Sequence, residues 1–142
     1  MNWIPDLSHL SASGPADPDT VWDRYTRPAL WSSWAPHIRK VDYPYAVVRP
    51  DSTGRVTGVG GLVAVFHVEA VDEDARTWAW RVRSGPLRVA FEHGVEPMPG
   101  GGSSAWLVTH AMLPVTVGYA PLARFALGRL VAGHTPGLIT PS

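Results

Sequence analysis

Asp17-Pro18-Asp19-Thr20-Val21-Trp22-Asp23-Arg24-Tyr25, followed by Leu30-Trp31-Ser32-Ser33-Trp34-Ala35-Pro36-His37-Ile38, reads as two helices set ahead of a chain that otherwise reads as strands. An aspartate N-cap and a proline at the first helical position open the first helix, and Asp19 complements its dipole. Val21, Trp22 and Tyr25 recur at helical spacing and give it a face to bury. Pro28 ends that helix and opens a second short one over residues 29–34, which Pro36 ends. Helices built with such large rings, early in a β-rich chain, imply a sheet that curls around something.

The strands follow. Residues 38–43 read as one, interrupted by Pro44, and residues 51–54 read as a turn. In residues 62–71, Ala64, Phe66, Val68 and Ala70 alternate with His67 and Glu69. In residues 77–83, Trp78, Trp80 and Val82 oppose Arg81 and Arg83. Leu87, Val89, Phe91, His93 and Val95 share the next face, opposite Arg88, Glu92 and Glu96. After a glycine-rich hairpin loop at 97–102, Ser104, Trp106, Val108, His110 and Met112 alternate with Ala105, Leu107, Thr109 and Ala111. Turns recurring every ~8–12 residues fit an antiparallel meander rather than βαβ units. The best helix in the chain is predicted over 119–133, with Leu122, Ala123, Ala126, Leu127 and Leu130 on one arc and Pro121 in its first turn.

Composition narrows the function. At 142 residues the chain is read as a single domain, 1–142, with its core at about 8–133 and loose segments at 5–15 and 135–142. Without cysteine there are no disulfides or thiolate metal sites. Eleven arginines and Lys40 balance twelve acids, and no basic cluster is long enough to track a phosphate backbone, so nucleic acid is not an expected partner. Met1 to Asp6 has no basic n-region, and no run approaches the ~18 apolar residues of a membrane span. The expected location is the cytoplasm, as a monomer or homodimer.

Val21-Trp22, residues 31–38, Phe66-x-Val68, the Trp78/Trp80 strand, Phe91-x-His93 and the glycine-rich turn before Trp106 together resemble the START/SRPBCC superfamily, and within it the polyketide cyclase/dehydratase-like branch. The likeness runs over residues 8–133. It implies an α+β helix-grip fold: a curved antiparallel sheet around a C-terminal helix, with two short helices after the first strand. Such proteins are hollow between sheet and last helix and hold lipids, hormones or polyketides there; some cyclise or dehydrate a poly-β-keto chain and many only bind or carry. The shortness of this chain implies a modest pocket.

The expected ligand is therefore an apolar small molecule (polyketide, lipid or aromatic), with a non-catalytic carrier as the alternative to a cyclase/dehydratase-like enzyme. The expected lining is Trp31, Trp34, Phe66, Trp78, Trp80, Phe91, Trp106, Met112, Leu122 and Phe125. His93 and His110 fall among apolar residues and are the candidates for acid–base work, because a neutral imidazole in a hollow can move a proton near neutral pH. The plainer reading makes each a core histidine bonded to backbone or water. The six histidines show no His-x-His or His-Glu-x-x-His spacing, so no metal site is expected, and the proposed chemistry needs no cofactor. Gly54, Gly58, Gly60 and Gly61 lack the strand-to-helix context of a phosphate loop, and Ser103-Ser104 lacks that of a nucleophile elbow.

Overall fold

The computed structural model describes residues 9–110 and 113–133. Its elements are β1 (His9–Gly14), α1 (Pro18–Thr26), a 3-10 turn (Pro28–Leu30) running into α2 (Trp31–Trp34), β2 (Ile38–Asp42), β3 (Ser52–Gly58), β4 (Val63–Asp72), β5 (Thr77–Ser84), β6 (Leu87–Pro97), β7 (Ser103–His110) and α3 (Leu113–Leu130). The strands form one antiparallel sheet in the order β1-β7-β6-β5-β4-β3-β2. The sheet is curved, and α3 lies against β1 and β7 with α1 and α2 beside it. This is the helix-grip fold.

The tryptophans of α2 explain how the two short helices hold together. Trp31 Nε1 donates to the carbonyl of Tyr25 at 2.9 Å, and Trp34 Nε1 to that of Arg24 at 3.0 Å. Both carbonyls belong to the last turn of α1, where intrahelical partners run out. The two indoles thus satisfy a helix end while burying their rings. Arg24 and Tyr25 point elsewhere with the same economy. The Arg24 guanidinium, 5 % exposed, donates to the carbonyls of Leu130 and Ala132 at 2.8 Å each and so ties down the C-terminal end of α3. Tyr25 donates its hydroxyl to the carbonyl of Trp106 on β7 at 2.8 Å.

On the inner face of the sheet, Phe66, Val68, Trp78, Val95, Ala105 and Leu107 are buried, and the α3 arc of Ala123, Ala126, Leu127, Leu130 and Val131 closes over them. Several boundaries differ from the sequence expectation. His9–Gly14 is an edge strand paired with β7 and not a loose segment; Leu10 and Ala12 supply its inner face. Residues 52–54 are strand rather than turn, and Phe66 lies so close over Gly54 that a β-carbon there would sit 2.3 Å from the ring. A bulge between Val68 and Ala70 reverses the alternation of β4, so Ala70 is exposed and Val71 packs on the core in its place. The last helix begins at Leu113, which puts Pro121 in its interior rather than its first turn.

The largest reversal is in β7. Pro97 pairs with Ser103, so odd-numbered residues of β6 face odd-numbered residues of β7: His93 is opposite Leu107, and Phe91 opposite Thr109. Ser103, Ala105, Leu107 and Thr109 are the buried set. Trp106, Val108 and His110 lie on the outer face, against Gly94, Glu92 and Ala90. Trp106 looks like a core residue by size, yet its ring covers Gly94, where an added β-carbon would fall 2.1 Å from the indole. Gly94→Ala is expected to destabilise the fold by about 1–3 kcal/mol through this overlap. Urea unfolding of the single and double variants checks it: most of the loss should disappear when Trp106 is also alanine.

Candidate functional site

A cavity of about 70 Å³ lies between the inner face of the sheet and the helices. β5 and β6 supply its floor with Trp78, Trp80, Phe91 and His93; α1 and α2 supply Tyr25, Trp31 and Trp34; α3 closes it with Ala123, Ala126 and Leu127. Ala35, His37, Ile38 and Leu107 complete the wall, so among the described residues no carboxylate, lysine or arginine lines it. The rings interlock: Trp31 stacks on Trp78 at 5.9 Å with 13° between planes, and its edge meets Trp80 at 5.1 Å.

His93 is the most constrained group in the wall. Only 5 % exposed, it stacks on Trp78 at 4.0 Å and 11°, and meets Tyr25 edge-on at 5.2 Å. Its Nδ1 lies 3.1 Å from the carbonyl oxygen of Trp78. A carbonyl only accepts, so Nδ1 carries the proton and Nε2 presents a lone pair. Burial pushes the pKa of the ring down to about 3, the bond to the Trp78 carbonyl opposing this only weakly. His37, in the connection between α2 and β2, also has its pKa lowered by burial. The cavity is therefore walled by two imidazoles that stay neutral at physiological pH.

Of the residues expected from the sequence, the structure brings Trp31, Trp34, Trp78, Trp80, Phe91 and His93 together. Phe66 is fully buried in the core next to the cavity, tilted against Trp31 and Trp80, without lining it. Leu122 is half-buried outside the lining, and Phe125 is 57 % exposed on the far side of α3. Met112 lies outside the described residues. Trp106 and His110 are on the outer face, where His110 Nε2 sits 2.7 Å from a Glu92 carboxylate oxygen. The two histidines thus occupy opposite sides of the sheet and cannot act in one pocket.

As cavity residues His37 and Tyr25 are missed from the sequence: helical spacing marks Tyr25 only as part of the buried face of the first helix, and nothing in the spacing marks His37, which the connection between α2 and β2 brings to the wall. A wider groove of about 880 Å³ crosses the outer face beside His67, Glu69, Arg81, Arg83, Arg88 and His110. It is open to water and lined by exposed charged side chains, several already in ion pairs such as Arg81 with Glu69. The charged side chains along it suit an uncharged apolar ligand less than the inner hollow does. Among the described residues no cluster of histidine and acidic side chains fits a metal ion, and no helix is long and apolar enough to cross a membrane.

A helix-grip sheet closed over an apolar interior is a hydrophobic-ligand-binding fold, and this chain has it. The model of the family described as "Polyketide cyclase / dehydrase and lipid transport" matches residues 9–138, so the chain belongs to that family. No match is found among curated proteins. Among solved structures, the chain is similar to protein MLL2253 from Mesorhizobium loti, with a TM-score of 0.70 at 18% identity over 86% of this chain and 93% of that one. Ara h 8.0201 gives 0.64 at 19% identity, covering 87% and 95%. Hypothetical protein jhp0584 from Helicobacter pylori gives 0.67 at 17% identity, covering 87% and 83%. At such identities the likeness is one of fold.

Proposed function

We propose that this protein binds a small, uncharged, largely apolar molecule between its sheet and α3, and that it binds or carries that molecule rather than transforming it. The supporting observation is the wall itself: among the described residues it is made of aromatic rings and aliphatic side chains, with no ionised side chain and an imidazole held neutral by burial. Size limits the guest. An apolar cavity of ~150 Å³ accommodates benzene, about twice the 70 Å³ of this hollow. A ring-sized ligand therefore enters by displacing Leu127 or lifting α3, and a long polyketide or lipid does not fit the hollow as it stands.

The family also supports a cyclase/dehydratase reading, in which His93 would take a proton beside a bound carbonyl. A base whose conjugate acid has a pKa of about 3 is poorly matched to neutral pH, and among the described residues no carboxylate in the wall raises it. Binding alone makes no such demand on the ring.

Titration with a hydrophobic dye, read by quenching of the wall tryptophans, tests the binding reading. Saturation should raise the melting temperature; ligand at 100 times Kd contributes about 2.7 kcal/mol. Leu127→Trp, which fills the cavity from α3, should keep the fold at a cost of about 1–3 kcal/mol and lose the dye. A folded Leu127→Trp protein that binds dye as tightly as the parent places binding elsewhere.

A further inference from the structure

Among the described residues four tryptophans wall the cavity, and their indole N–H groups fall into two kinds. Those of Trp31 and Trp34 donate to backbone carbonyls at the end of α1. Those of Trp78 and Trp80 are buried, and neither has an acceptor among the described residues. Trp78 is only 3 % exposed, and the two rings meet at 5.1 Å on adjacent inward positions of β5. A buried donor without a partner is costly, and the chain has avoided that cost at two of four tryptophans by placing a carbonyl within reach. Phenylalanine would put an aromatic ring at the same positions with no donor to satisfy.

We infer that the indole N–H groups of Trp78 and Trp80 form a paired donor site for an acceptor oxygen on the bound molecule, which selects a neutral ketone, aldehyde or ester over a hydrocarbon of the same shape. This rests on the cavity being the binding site, and it adds a polar criterion to a wall otherwise read as apolar. A carboxylate is disfavoured although it would accept both bonds, since among the described residues no cation lines the cavity to offset the burial of its charge. The lone pair on His93 Nε2, on the neighbouring strand, can additionally receive a hydroxyl of the guest.

The test uses acetophenone and α-methylstyrene, which share size and shape and differ in C=O against C=CH₂, added to ¹⁵N-labelled full-length protein. Acetophenone is expected to shift two indole N–H resonances downfield, assigned through Trp78→Phe and Trp80→Phe, and to bind about tenfold tighter than its hydrocarbon twin. Each Phe variant that remains folded should reduce that preference several-fold, read as the ratio of the two affinities so that the change in cavity shape, common to both probes, cancels. If a Phe variant does not fold, replacing that tryptophan by its benzothienyl analogue removes the N–H and keeps the shape. Equal affinity for both probes, with no downfield indole shift, overturns the donor pair and leaves the binding cavity standing. Failure of both probes to shift cavity resonances or to raise the melting temperature overturns the cavity reading and the donor pair with it.

Discussion

Trp31→Ala is expected to cost about 5 kcal/mol or more, a large share of the whole stability of a domain this size. The ring is 2 % exposed and in contact with Phe66, Trp78 and Trp80, so its removal opens a large hole at the centre of the inner face. Truncating a core tryptophan typically costs ~3–5 kcal/mol. The indole N–H also satisfies the Tyr25 carbonyl, and a buried acceptor left without a partner adds about 1–3 kcal/mol. Domains of this kind are stable by only ~5–15 kcal/mol in total. Trp31→Phe separates the two contributions, because it keeps most of the ring and loses the hydrogen bond; it should recover more than half of the loss. Equilibrium urea unfolding measures both variants. A Trp31→Ala protein within about 2 kcal/mol of the parent would show that this ring is not central to the core.

The sequence shows why such a residue can be picked out in advance while others cannot. Asp17-Pro18 marks a helix start by local chemistry, and Asp17 does accept from the Thr20 amide at 3.2 Å. Trp78, Trp80 and Val82 keep a clean alternation because β5 pairs without interruption against β6. The face of β7 escapes alternation for a non-local reason. Its two alternating sets are both plausible cores, and the choice between them depends on the register of the 97–102 hairpin and on Gly94 across the sheet, which makes room for Trp106 on the outside. Once the register is fixed, His110 leaves the hollow and joins Glu92. The bulge in β4 is another event that alternation alone does not foresee, and it exchanges Ala70 for Val71. The cavity wall is legible where strands and α2 build it. It is not where it depends on how the helices are tethered, through Arg24 to the end of α3 and Tyr25 to β7, since those contacts join residues 106 and 81 positions apart.

His93 links stability to pH, and the direction follows from its burial. In the unfolded chain the ring takes up a proton near 6.5; in the fold it remains neutral down to about 3. Between those values the unfolded state binds more protons, so stability falls as pH drops. No contribution exists above about pH 7. Below it the loss approaches ~1.4 kcal/mol per pH unit and levels off near pH 3, at about 5 kcal/mol in all. His37, whose pKa burial also lowers, adds in the same direction, and carboxylates titrate at the acid end, so the parent's slope alone is not diagnostic. The difference between parent and His93→Gln is. Glutamine can still donate to the Trp78 carbonyl but cannot titrate, so the variant should be less stable at pH 7 through imperfect packing and lose less on going to pH 4.5. Urea midpoints at pH 7.5, 6, 5 and 4.5 should therefore converge, narrowing the gap by about 2–3 kcal/mol over that range. Parallel pH profiles would mean that His93 titrates normally in the fold. It would then be a competent base near neutral pH, and the cyclase/dehydratase reading would regain the proton acceptor that burial takes from it.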